Sequence, residues 1–391
     1  MRRFLSVAVL LAAVSPVTVH AQDGNAPMPP AFLRAMEPMV ARDAASDRVV
    51  TTRHVAMIGG TKLAYRAIVT ELPMPGADGA PVAVAVSYGY IADGKGDVTK
   101  RPVLFVFNGG PGASSSPLHM QALGPRRIVG KGDAAHLEDN RFSLLDAADL
   151  VFIDPVGTGA SMPVKGQDAS SYWGVGGDAR GVALMIERWL AANGRAGSPV
   201  VLVGESYGTA RALAVLNETA KAKKALPDGV ALLSLAIGDS GGPVISDVVK
   251  LPTLASVAWY HQAIDRAGRT VDQLYAEALD FARQDYALAL LKGSTLAPAE
   301  KRRVAERMAA LTGLPVSLLE EKNLRLDNYD FMLNLLVANG LRTGQLDGRV
   351  TRAIAESNLR PPFDDPSMTL GASSAQLIET YLKSELDSIS D

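Results

Sequence analysis

The 391-residue chain contains no cysteine. That excludes a cysteine nucleophile, cysteine-based zinc sites and a disulfide framework, so the fold has to hold through its core, which a chain this long can supply. Histidine is scarce: His20, His54, His119, His136 and His261 are the whole supply. Neither sign of charge is in excess, with 39 Lys and Arg against 41 Asp and Glu, a net charge of −2 and a pI near 6.2. A basic nucleic-acid surface and an acidic solvated tail are both poor readings of that balance. No repeat or low-complexity tract occurs. Beyond the N-terminus no apolar run is long enough to cross a bilayer. There is also no nucleotide motif: no Gly-Lys-Ser/Thr follows the Gly-rich turn at 108–112, and Gly174-Val175-Gly176-Gly177 lacks a preceding strand. No cofactor or metal is expected.

What is present begins with a targeting segment. Arg2 and Arg3 precede an apolar run at 4–14, and Val19-His20-Ala21 resembles a small-residue cleavage site. Residues 1–21 are therefore expected to be a signal peptide and the mature chain to start near Gln22. This places the protein in the periplasm or outside the cell, with no stable membrane anchor. Residues 22–48, rich in Pro, Ala and Met, read as a flexible lead-in.

From 49 to 74 the pattern alternates in short stretches around Gly59-Gly60, a hairpin signal, and 81–91 reads as a further strand. Continuous apolar strands then follow at 103–107, 150–153, 200–203 and 232–237, each ending in a turn that carries Gly. Helical spacing fills 178–192 and 209–223. Apolar strands alternating with helices predict an α/β fold with a mostly parallel sheet covered on both faces, and chemistry at the carboxyl ends of the strands. The α/β core is expected over 49–251. A helical cap without strands is expected over 252–355, with segments at 271–291, 299–311 and 329–339. A C-terminal helical segment is expected over 356–391, with its helix at 375–389.

Gly204-Glu205-Ser206-Tyr207-Gly208 is a G-x-S-x-G motif between a strand and a helix. A serine at such a sharp turn sits in a strained backbone with its hydroxyl above the sheet, and the flanking residues must be small because strand and helix nearly touch. Ser206 is the expected nucleophile. Acyl transfer needs donors for an oxyanion, and the N–H groups of Tyr207 and of Gly110, in Asn108-Gly109-Gly110-Pro111-Gly112, are placed to serve.

With those residues in view, the sequence resembles the serine carboxypeptidase family, which has an α/β-hydrolase fold. The resemblance rests on four motifs in the family's order: residues 108–115, Leu123-Gly124-Pro125, residues 154–161 and residues 204–208. It implies removal of C-terminal amino acids from peptides through a Ser206 acyl-enzyme, with peptide or protein C-termini as the partners. It also implies that Asn108 and Glu205 hold the substrate's terminal carboxylate, a protonated Glu205 being able to donate to it.

The sequence departs from the family in three places. Ala122 stands where a second glutamate is frequent, which weakens the expectation of strict exopeptidase specificity. Ala113 replaces a frequent cysteine. The catalytic Asp and His expected late in the chain do not appear: after Ser206 the one histidine is His261. The chain reads as shortened at its C-terminus, with the family's last strands missing. Asp239, His261 and His119 are the candidates to replace the missing triad members. Two alternatives to the peptidase reading stay open, an inactive peptide-binding relative and an esterase or acyltransferase on the same fold.

Overall fold

The computed structural model describes residues 41–94, 96–130, 132–237, 242–356, 365–367 and 372–388. The expected signal peptide, the lead-in as far as residue 40, and Asp239 lie outside the described residues.

Three long strands open the fold: β1 (Arg48–Ile58), β2 (Thr61–Pro75) and β3 (Pro81–Ala92). Gly59 and Gly60 join the first two with φ of 56° and 81°, a turn that two consecutive non-glycine residues would strain. The remaining strands are β4 (Val103–Phe107), β5 (Arg126–Val129), β6 (His136–Asp139), β7 (Asp149–Asp154), β8 (Met162–Pro163), β9 (Val200–Glu205), β10 (Gly229–Leu233), β11 (Leu341–Thr343) and β12 (Thr351–Ala353). The main sheet runs β1-β2-β3-β7-β4-β9-β10, with β8 added to β3. It is mixed. The β1 to β3 meander joins β7 antiparallel, and β7, β4, β9 and β10 run parallel. The parallel block is the part that ends in the Gly-rich turns.

Period-two alternation sends neighbouring side chains to opposite faces of the sheet. Phe105, Val151 and Leu202 face helices α1 (Val175–Ala192) and α2 (Tyr207–Lys221), packing with Met185, Trp189, Ala212 and Val215. Val106, Phe152 and Val203 face the other way, onto Leu118, Met120, Leu145 and the C-terminal helix residues Ile378 and Tyr381. Because both faces are covered, the central strands are apolar throughout rather than alternating.

The helical layer comprises α3 (Gly242–Tyr260), α4 (Val271–Phe281), α5 (Ala287–Lys292), α6 (Pro298–Thr312), α7 (Val316–Glu321) and α8 (Asn328–Asn334); α9 (Ala372–Ser384) closes the fold. The layer has its own core, which includes Leu251, Ala255, Leu274, Met308, Leu311 and Phe331. The boundary expected between 251 and 252 falls inside α3. Pro252 ordinarily interrupts a helix, but here the buried stripe of Val248, Leu251 and Ala255 carries α3 straight through it.

Three other expectations shift. The last parallel strand is Gly229–Leu233 rather than 232–237, because its register is set by pairing with β9 from Gly229↔Val201 to Leu233↔Glu205. The chain turns off at Ser234, with φ of 51°. The cap is not free of strands, since β11 and β12 pair as a hairpin of three residues each, too short to leave a period-two signature. The final helix spans Ala372–Ser384 rather than 375–389.

Candidate active site

Strand β9 and helix α2 meet at Ser206, which adopts φ 56° and ψ −125°. An L-residue reaches that conformation only under constraint, and the constraint is the proximity of the two elements. A Cβ on Gly204 would lie 2.1 Å from the Gly208 carbonyl oxygen, and one on Gly208 would lie 2.8 Å from the Phe107 carbonyl oxygen. The Gly-rich turn after β4 is equally close. A Cβ on Gly109 would stand 2.4 Å from the Tyr207 nitrogen and 2.7 Å from the Glu205 carbonyl oxygen. The turn therefore lies directly against the elbow. Among the described residues neither the Gly110 nor the Tyr207 N–H donates a hydrogen bond; for Tyr207 this follows from its place in the first turn of α2.

Asn108 and Glu205 are adjacent. Asn108, buried in the sheet end, donates through Nδ2 to Glu205 Oε2 at 3.0 Å and accepts at Oδ1 from the Leu118 N–H at 3.0 Å. A second carboxylate organises the turns. Asp154, also buried, accepts at Oδ1 from the N–H and hydroxyl of Ser115, both at 2.7 Å, and at Oδ2 from the Ala160 N–H at 3.1 Å. Burial raises its pKa, while those bonds act to lower it.

The histidines proposed as substitutes do not meet Ser206. His119 is enclosed in the cluster beneath the other face of the sheet. Its ring stacks on Phe152 at 4.4 Å and its Nε2 is 2.7 Å from the Tyr90 hydroxyl. Burial pushes its pKa down to about 3. His261 is tied into the helical layer, with Nε2 2.7 Å from the Gly348 carbonyl oxygen. Among the described residues no side chain hydrogen-bonds the Ser206 hydroxyl, and no cluster of three or more His, Asp or Glu side chains could hold a metal ion.

Sequence reasoning missed the charged pair beside the elbow. Arg211 lies one turn into α2, and its Nε donates to Asp178, in the first turn of α1, at 2.7 and 2.9 Å. Burial raises the Asp178 carboxyl and pushes the Tyr207 phenol up to about 12. The available signal was an arginine in the buried stripe Gly208, Arg211, Ala212, Val215, whose i, i+3, i+4, i+7 spacing marks the covered face of a helix.

The serine carboxypeptidase family profile matches residues 88–348, two-thirds of the chain. The chain belongs to the serine carboxypeptidase family. A curated relative, the pheromone-processing carboxypeptidase KEX1 of Puccinia graminis f. sp. tritici, is 42% identical over 82 residues, which is 20% of this chain and 12% of that protein. The chain thus spans a small part of the curated relative it matches. Among solved structures, the prohormone-processing carboxypeptidase Kex1(Δ)p of Saccharomyces cerevisiae is 21% identical, with a TM-score of 0.39 over 63% of this chain and 53% of that one. The rice cell wall degrading esterase LipA of Xanthomonas oryzae is 14% identical, with a TM-score of 0.33 over 73% and 80%. The serine carboxypeptidase fold is the α/β-hydrolase fold, and the parallel block β7-β4-β9-β10 with helices on its faces is its central part here.

Proposed function

We propose that this serine carboxypeptidase relative carries an acyl-transfer site in which Ser206 is the nucleophile and peptide C-termini are the substrates. The observation that carries the reading is the strained seat of Ser206 beside two undonated amides, those of Gly110 and Tyr207. In the proposed reaction Ser206 Oγ bonds to the scissile carbonyl carbon and yields its proton to a base. The carbonyl oxygen becomes an oxyanion held by the two amides. Collapse of this intermediate breaks the C–N bond, the leaving amino acid takes a proton, and water then hydrolyses the acyl-enzyme. The Asn108–Glu205 pair receives the substrate's terminal carboxylate, and the position of these two side chains at the strand ends supports that assignment. The N-terminal Arg2-Arg3 and the apolar run after them support an exported protein. Among the described residues no helix is long and apolar enough to cross a membrane.

A fluorophosphonate probe tests the reading. Covalent labelling that disappears in Ser206→Ala is expected, whereas equal labelling of the two proteins would move the nucleophile elsewhere. One observation favours a second reading, that of a non-hydrolytic protein which binds peptide termini: no histidine reaches the Ser206 hydroxyl among the described residues. In that case the wild type stays unlabelled yet still binds a peptide with a free C-terminal carboxylate, and amidation of that peptide abolishes binding.

A further inference from the structure

Asn108 is held at three of its polar groups. Its side-chain nitrogen donates to Glu205 and its side-chain oxygen accepts from the Leu118 N–H. Its backbone carbonyl accepts a hydrogen bond from Arg211 Nη1. That third contact comes from a fully buried guanidinium whose other edge is bound to Asp178. The guanidinium carbon also lies 5.0 Å from the centre of the Tyr207 ring and 5.7 Å from that of Phe107, within the range of cation–π attraction. One side chain therefore touches the end of β4, the first residue of the Gly-rich turn, the residue after Ser206 and, through Asp178, the start of α1.

We propose that Arg211 is a positioning residue for the acyl-transfer site, setting the Gly-rich turn against the nucleophile elbow through the Asn108 carbonyl and the Tyr207 ring. The inference rests on the acyl-transfer reading for its chemical consequence, but its geometric content stands apart from it. The Asn108 carbonyl belongs to the peptide that leads into Gly109, and Gly109 lies against the Tyr207 nitrogen. Rotation of that peptide would move Gly110, and with it one of the two amides proposed to hold the oxyanion. It would also swing Asn108 Nδ2 away from Glu205. A guanidinium suits the task because its planar fork serves two acceptors in different directions at once, here a carboxylate and a carbonyl. An ammonium at the same place is a single point charge and cannot hold both. Asp178 orients the fork by accepting from Arg211 Nε at both carboxylate oxygens.

The test uses Arg211→Lys, which keeps the charge, and the double variant Arg211→Gln/Asp178→Asn, which removes both charges so that neither is left buried alone. Two quantities are read in the full chain: hydrogen exchange of the amides at 108–113, and the second-order rate of fluorophosphonate labelling at Ser206. Both variants should keep the exchange pattern of β4 and β9 while the turn amides exchange at least ~10-fold faster, and labelling should fall by about 100-fold, the scale of a misplacement near 1 Å. Exchange at 108–113 that is unchanged in both variants would overturn the inference. So would rescue by Arg211→Lys of both turn protection and labelling. Should the wild type itself resist the probe, the acyl-transfer reading fails and the exchange measurement still decides the role of Arg211. If the double variant does not fold, Arg211→Lys decides alone.

Discussion

At the scale of single residues, the candidate site is governed by space. Three glycines, at 109, 204 and 208, stand where a Cβ would collide with backbone rather than with a side chain that could move aside. Gly109 is the most informative, because its added Cβ would press on the Tyr207 nitrogen at 2.4 Å. Gly109→Ala is expected to push the turn off the elbow, slow fluorophosphonate labelling by about 100-fold and cost 1–3 kcal/mol of stability, roughly the range of overpacking. Labelling kinetics and urea unfolding on the same preparation check both. A variant that labelled at the wild-type rate would show that the contact between turn and elbow is irrelevant to the serine's reactivity. The motif residues were legible in the sequence because G-x-S-x-G and N-G-G-P-G state a steric requirement directly. Arg211 and Asp178 were not, since a pair 33 positions apart leaves no local trace beyond a charge in an apolar stripe.

At the scale of elements, the sequence was most readable where a pattern is both local and long. The β1–β2 hairpin, β3, β4, β7 and β9 all lie where alternation or apolar runs put them, because each strand's burial is set by its own residues. The failures share a cause. The position of β10 follows from its register against β9, which is a non-local fact. The continuation of α3 through Pro252 depends on Leu251 and Ala255 packing against other helices, so tertiary burial outweighs the local cost of proline. The role of His119 was equally hidden. Nothing near it in sequence announces that Tyr90, Phe152 and Tyr381 will enclose it.

At the scale of the whole molecule, that buried histidine couples stability to pH. Its folded pKa, down at about 3, lies below the value of 6.5 for a free histidine. Between those two values the unfolded chain binds a proton that the folded one refuses. Stability should therefore be complete above about pH 6.5 and fall as the pH drops towards 3, with a slope from this group of at most ~1.4 kcal/mol per pH unit. Denaturant midpoints measured from pH 7 to pH 4 should decline less steeply in His119→Gln than in the wild type. Parallel curves for the two proteins would mean that His119 titrates normally.

The seat of Ser206 carries one more consequence. At φ 56° and ψ −125° a side chain is a burden that glycine would not bear, amounting to about 1–3 kcal/mol. Ser206→Gly should consequently melt at a higher temperature than the wild type, while Ser206→Ala, which keeps the Cβ, should not. A calorimetric scan of the three proteins compares them directly. The Cβ that carries the reactive hydroxyl would then weaken the very frame holding it up, and robustness and reactivity would draw on the same bend in opposite directions.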